Sequence, residues 1–240
     1  MTRVSIVIPA RNEAGNILSL VDEIDRAMGD LAPFEIVVVD DGSTDALVQV
    51  VTDRMAAMPH LRLIRHARSG GQSAAVHSGV LAATSPIILT LDGDGQNPPV
   101  ELPKLAAPLL ADTTGRVGLV AGQRVGRQDS WSKKLASRLA NRLRNWLLRD
   151  GTRDTGCGLK GFRRDAFLSL PYFDHMHRYL PALFVRDGWQ VVHVDVTHRA
   201  RGAGRSNYSN LQRALVGVPD LLGVMWLSRR RKKVQPIDPT

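Results

Sequence analysis

The sequence predicts an α/β fold, a mostly parallel sheet flanked by helices, on three observations. Short β-branched apolar runs alternate with stretches of helical spacing, the pattern of βαβ units. Two of those runs, EIVVVDD and IILTLDGD, end abruptly in carboxylates, as buried parallel strands do at a sheet's carboxyl edge. And 43% hydrophobic with 23% charged residues over 240 positions is enough for a packed globular core.

In order along the chain, residues 4–9 make a short β-rich run. Residues 14–28 follow with helical spacing at Ile17, Leu20, Val21, Ile24 and Met28. Residues 35–40 are a second buried strand, ended by Asp41-Gly42-Ser43-Thr44, with Thr44 placed to cap a helix over 45–57. Residues 61–66 form a third strand, and Gly70-Gly71 leads into a helix over 72–83. Residues 87–91 and 117–122 supply the fourth and fifth strands. Right-handed crossovers then give a mostly parallel sheet. The second half is less regular. Residues 131–148 predict a long helix with Trp131, Leu135, Leu139, Leu143, Trp146 and Leu147 on one side and basic residues on the other. Residues 158–162 and 190–196 read as strands, and 207–227 as a last helical region interrupted near Pro219. Five cations, 229–233, and a short tail close the chain.

Net charge is +9 and the isoelectric point about 10.4, which favours an anionic partner: nucleic acid, an anionic membrane or a phosphorylated substrate. The single cysteine, Cys157, rules out an internal disulfide and fits a reducing compartment. The N-terminal apolar stretch is too short for a signal peptide, and no run nears the roughly 18 apolar residues of a spanning helix. A cytoplasmic location is therefore expected.

The chemistry concentrates at the strand ends. Asp92, Asp94 and Gln96 offer three oxygen ligands at alternate positions, a set suited to a hard divalent cation and a phosphate-bearing substrate. Asp41 stands at the same edge and could accept hydrogen bonds from a ribose or base; its plainer role is an Asx-turn with Ser43. After the first strand, Arg11 and Glu13 could touch a base, while Asn12 could simply cap the first helix. Neither the dinucleotide G-x-G-x-x-G nor the P-loop fingerprint is present. His175-Met176-His177 lacks a Cys or carboxylate cluster beside it and does not read as a metal site. Phe184 and Trp189 read as core.

The ordered set IVIPARNE, VVVDDGSTD, GGQSAAVHSG, LDGDGQNPP, AGQR, DTGCGLKGFRR and RGAGRSNY resembles family 2 glycosyltransferases of the GT-A fold, most of all their polyprenyl-phosphate branch. The likeness runs from about Val4 to Tyr208. It implies a nucleotide-sugar-binding sheet with interfacial amphipathic helices. It implies that Asp92, Asp94 and Gln96 hold Mg²⁺ or Mn²⁺ and the donor diphosphate, where relatives usually read D-A-D-L-Q and this chain has Gly93 and Gly95. Pro9, Arg11, Glu13, Asp41 and Gly71 would line the donor. Arg124 would face donor or acceptor phosphates and, with Asp92 and Asp94, belong to the catalytic set. Arg201, Arg205 and Ser206 would meet the acceptor phosphate, with Asn207 standing where many members carry Lys.

The implied reaction is an inverting transfer of sugar from a UDP- or GDP-sugar to a polyprenyl (undecaprenyl) phosphate. A lipid phosphate is ionised near pH 7 and needs no strong base. No E-D pair marks a base in the second half; Asp154 is the nearest candidate, with a structural role beside Arg163 or Arg164 as its alternative. The basic helix and the tail suit an anionic membrane surface or a small membrane subunit. The expected division is a catalytic domain over 1–208 and a membrane-associating tail over 209–240, peripheral on the inner face of the membrane. Three other readings remain: transfer to a hydroxyl of a glycan or lipid, nucleic-acid binding, and a non-catalytic membrane-scaffold subunit, against which the intact Asp92, Asp94 and Gln96 argue. The second leaves both acidic strand ends unexplained.

Overall fold

In a computed structural model of the chain, residues 3–31, 33–125, 144, 147–148, 150–152, 154–199 and 210–230 are described, with side chains from 217 onward in the last segment. Seven strands make one sheet: β1 Val4–Ala10, β2 Phe34–Asp40, β3 Leu61–Arg65, β4 Ile87–Thr90, β5 Val117–Arg124, β6 Lys160–Arg163 and β7 Gln190–Val196. Their order is β3-β2-β1-β4-β6-β5-β7. All neighbours are parallel except β6, which runs antiparallel to both β4 and β5.

The side-chain period of two divides the strands between two cores. Ile6, Ile8, Ile36 and Val38 face one side, which α1 (Ala14–Met28) and α4 (Leu102–Leu110) cover, with α2 (Leu47–Met55) beside α1. Val7, Val37 and Val39 face the other, under α3 (Gln72–Ala82), α5 (Arg164–Leu168) and α6 (Leu180–Arg186). β2 is buried at every position, which is why it reads as an unbroken apolar run. The chain winds from β1 outward to β3 and then returns to β4 on the other side of β1. The sheet's switch point therefore lies between β1 and β4, where the carboxyl ends open a crevice.

Several expectations shift. The strand near 158–162 begins at Lys160, and the fifth strand extends to Arg124. Thr44 does not cap α2; instead Asp45 Oδ1 accepts from Leu47 N at 3.1 Å at the start of α2, and its Oδ2 accepts from Ala14 N at 2.9 Å at the start of α1. One carboxylate thus ties together the starts of two helices. Helix α4 has no counterpart in the sequence reading; Pro103 lies in its first turn and Pro108 inside it. The last helix, α7 (Asn210–Arg229), runs through Pro219 without interruption. It docks on the second core through Val224, with Tyr179 Oη donating to Gly217 O and Arg186 Nε to Leu227 O. Of the helix expected over 131–148, residues 144, 147 and 148 are described and helical; the rest lies outside the described residues. Among the described residues no helix is long and apolar enough to cross a membrane.

Candidate active site

At the switch point Leu91 is buried and Asp92 emerges at the rim. Its Oδ1 accepts from Gln72 Nε2 at 2.7 Å and its Oδ2 from Asn97 Nδ2 at 3.2 Å. Burial and the nearby Asp94 charge push the Asp92 carboxyl above its ordinary range, with Lys160, Asn97 and Arg124 pulling back. Gly158 lies directly beneath this carboxylate. A Cβ there would stand 2.3 Å from Asp92 Oδ2, so no larger residue fits without moving the acid.

The turn after Asp92 is built to fix its side chains. Gly93 packs against Ala10, where a Cβ would meet the Ala10 methyl at 3.1 Å. Gly95 has φ +73°, a left-handed position that favours glycine. Asp94 Oδ1 accepts from Gln96 N at 3.1 Å. Arg199, just past β7, clamps the turn from outside: its N donates to Gln96 O at 3.1 Å and its Nε to Gly95 O at 2.6 Å. Its Nη2 reaches Glu23 on α1 at 2.9 Å.

The neighbouring strand end is organised around Asp41. Asp41 Oδ1 accepts from Gly70 N at 2.8 Å and pairs with His66 Nδ1 at 2.8 Å; Oδ2 accepts from Ser69 Oγ at 2.6 Å and Gly71 N at 3.0 Å. Burial alone would raise this carboxyl, but those hydrogen bonds outweigh it and hold it below the usual range. His66 passes the connection to Ser78 on α3 at 2.9 Å. Asp41 makes no Asx-turn with Ser43; Ser43 N donates instead to Asp40 Oδ1 at 2.9 Å, three residues back. Asp41 is the post to which the Gly70-Gly71 loop and the start of α3 are tied.

Asn12 does not cap α1. Its φ is +56°, and its Oδ1 accepts from Thr44 N at 2.8 Å while its own N donates to Ser43 Oγ at 2.9 Å. It locks the loop after β1 to the loop after β2. Glu13 Oε2 accepts from Asn16 Nδ2 at 2.6 Å in the first turn of α1, and Arg11 stands exposed on the same rim.

Arg124, at the end of β5, is paired with Asp154 through Nε–Oδ2 at 2.5 Å and Nη2–Oδ1 at 2.8 Å, both side chains 14% exposed. Asp154 therefore has neither of the arginine partners expected from the sequence. Arg163 pairs with Asp112 at 3.0 Å, and Arg164 reaches the carbonyls of Val80 and Leu81. Cys157 is buried, and burial pushes its thiol up, away from nucleophile behaviour. His175 sits 3.3 Å from Asp220 of α7, and His177 is hydrogen-bonded to Ser73 at 2.7 Å. Phe184 is core and Trp189 packs against it, as expected.

Pro9, Gly71, Asp92, Asp94, Gln96 and Arg124 thus come to one rim, with Asp41 and Glu13 beside it. Arg201, Arg205 and Ser206 lie outside the described residues. The sequence did not single out Gln72, Asn97, Arg199 or Lys160.

The donor set suits a divalent cation in a particular way. Among the described residues no three His, Cys, Asp or Glu side chains converge tightly enough to hold a metal alone. Asp92, Asp94 and Gln96 stand on one short turn with hard oxygens that could hold such an ion, and would leave its remaining positions to substrate phosphates and water, the usual manner of Mg²⁺.

A family model for glycosyl transferase family 2 matches residues 5–170. The undecaprenyl-phosphate 4-deoxy-4-formamido-L-arabinose transferase of Sodalis glossinidius is 34% identical over 209 residues, 86% of this chain and 63% of that protein. The protein of the same name from Pectobacterium carotovorum is 33% identical over 212 residues, 87% of this chain and 63% of its own length. The chain spans less than two thirds of these curated relatives. Glucosyl-3-phosphoglycerate synthase from Mycobacterium tuberculosis, solved with Mn²⁺, UDP and glucosyl-3-phosphoglycerate, superposes with TM-score 0.70 at 21% identity, covering 95% of this chain and 80% of that one. The same enzyme has been solved with Mg²⁺ and UDP, at TM-score 0.67 and 20% identity, covering 95% and 79% of the two chains. That likeness is one of fold, and with it the expected GT-A architecture is borne out.

Proposed function

The chain belongs to glycosyl transferase family 2, and from that premise we propose that it moves a sugar from a nucleotide donor to a polyprenyl phosphate, with inversion, at a membrane surface. The observation that carries the acceptor is the Arg124–Asp154 pair. The carboxylate expected as a base for a hydroxyl acceptor is clamped on both oxygens by a guanidinium. An acceptor that arrives already ionised needs no such base. The names of the curated relatives point the same way, since those proteins act on undecaprenyl phosphate.

The donor's diphosphate belongs at the Asp94–Gln96 turn, which the Asp94–Gln96 bond closes and Arg199 clamps from outside. A divalent ion held by Asp94, Gln96 and Asp92 would supply charge neutralisation for the departing nucleoside diphosphate. Asp41 keeps the Gly70-Gly71 loop and α3 in place, so that Gln72 can orient Asp92. Asp92, which lines the pocket behind that turn, would meet the sugar. In the transfer an acceptor phosphate oxygen forms a bond to the anomeric carbon from the face opposite the donor diphosphate. The bond from that carbon to the diphosphate oxygen breaks, and its electron pair leaves with the nucleoside diphosphate. No proton moves in this step. Arg124, anchored by Asp154 through Nε and Nη2, would meet phosphate charge at the rim.

The test is an assay with Mg²⁺ or Mn²⁺, a panel of UDP- and GDP-sugars, and undecaprenyl phosphate. An acid-labile lipid-linked sugar is expected, with Asp94→Ala lowering turnover by roughly 100-fold or more. No lipid-linked sugar in any combination, or an Asp94→Ala enzyme as active as the parent, overturns the reading. So does an acid-stable glycoside as product.

A further inference from the structure

Behind the Asp92 carboxylate lies a pocket of about 180 Å³. Pro9 and Gln72 form part of its mouth, the 155–158 segment one wall, and Lys160, His177 and Arg178 its basic lining. Lys160 enters from β6 and is 7% exposed. Its ammonium donates to the Cys157 carbonyl. An ammonium has three donors, and among the described residues no carboxylate lies within ion-pair distance of this one. A buried cation held this way is costly unless an anion joins it. Arg178 likewise pairs with no carboxylate among the described residues. His177 spends Nδ1 on Ser73 and is kept neutral by burial and by the cations of Lys160 and Arg178. Asp92 is the carboxylate among the lining residues, and Gln72 and Asn97 already hold its oxygens.

We propose that Lys160 and Arg178 form a second anion seat, and that it takes the phosphate of the acceptor lipid. The inference rests on the transfer to polyprenyl phosphate proposed above. Two cations against one carboxylate leave an excess positive charge, the sign that draws a phosphate monoester of about −1.5 to −2. The donor's diphosphate has its own place at the Asp94–Gln96 turn. Inversion requires the attacking and departing oxygens on opposite faces of the anomeric carbon, so two anions must be held apart with the sugar between them. Asp92 stands between the turn and the pocket and separates the two seats.

The probe is farnesyl phosphate, a short soluble phosphate monoester, with farnesol as its uncharged control. In thermal-shift titrations without donor, farnesyl phosphate stabilises the wild-type chain and farnesol does not. Lys160→Met and Arg178→Gln lose that response but keep the response to UDP with Mn²⁺, which certifies that they fold. In turnover, each raises KM for the lipid phosphate by about tenfold or more, as loss of a charged hydrogen bond does, while donor KM stays within about twofold by the same reasoning. Lys160→Arg recovers part of the loss. The proposal is overturned if the variants still bind farnesyl phosphate, or if the KM rise falls on the nucleotide sugar instead. Should Lys160→Met fail to fold, Arg178→Gln decides alone. If the wild type makes no lipid-linked sugar yet binds farnesyl phosphate through Lys160, the transferase reading falls and the anion seat stands. If it makes the lipid-linked sugar and the variants are indifferent, the seat falls and the transferase reading stands.

Discussion

Asp92 owes its position to a residue 66 places away in sequence, Gly158, whose missing side chain leaves room for the carboxylate. Gly158→Ala sets a methyl 2.3 Å from Asp92 Oδ2. It is expected to lower turnover at least about tenfold through displacement of the acid, and to cost about 1–3 kcal/mol of stability, as overpacking does. Steady-state kinetics and urea unfolding measure the two separately; unchanged kinetics would show that the carboxylate does not depend on this contact. The same scale explains the glycines that set this chain apart from D-A-D-L-Q relatives. Gly93 lies tight against β1, and Gly95 turns the chain through a positive φ. The acids were legible from the sequence because carboxylates after buried apolar runs have few other uses. Lys160 was not, because what makes it notable is a carbonyl partner and a pocket, and neither is a property of the local sequence.

Among elements, the loops after β1, β2 and β3 are tied to each other more than to solvent. Asn12 joins the first to the second, and Asp41 joins the second to the third. The Asp41 carboxyl is held below its ordinary value, so its latch contributes fully above the unfolded value near 3.9 and weakens as pH falls through the lower folded one. Asp41→Asn keeps the size but loses the charge-assisted bonds to Ser69, Gly70 and Gly71. The variant should unfold about 1–3 kcal/mol more easily at pH 7, and the difference from wild type should shrink toward pH 3. Urea denaturation at the two pH values checks this; a pH-independent gap would assign the loss to shape alone. The βαβ alternation that placed these loops was readable from periodicity. Their mutual bonds were not: a local reading favours Thr44 and Asn12 as caps, whereas Asp45 reaches both helix starts only in the folded chain.

For the whole molecule, α7 carries the question of where the chain works. One face packs through Val224, while Val218, Leu222 and Trp226, spaced four apart, are 59%, 54% and 58% exposed. Arg230 lies over the Trp226 ring at 5.8 Å. Such a stripe beside a cationic run suits the interface of an anionic bilayer. Leu222→Ser with Trp226→Ser is expected to cut co-sedimentation with phosphatidylglycerol vesicles at least about fivefold. Added salt should weaken wild-type binding further. Equal sedimentation of the pair variant would remove α7 from the contact.

The sequence by itself determined the α/β class, the order of the strands along the chain, and the acids at the strand ends, because these follow from short-range periodicity and from where a buried run stops. Only the tertiary structure decided which strands are neighbours, that β6 enters antiparallel, and that the 155–158 segment meets the ends of β1 and β4 at the switch point. It alone paired Arg124 with Asp154 and set Lys160 behind Asp92. The reason is physical: the cost of burying a charge, and the partner that offsets it, depend on groups far apart in the chain that only packing brings together.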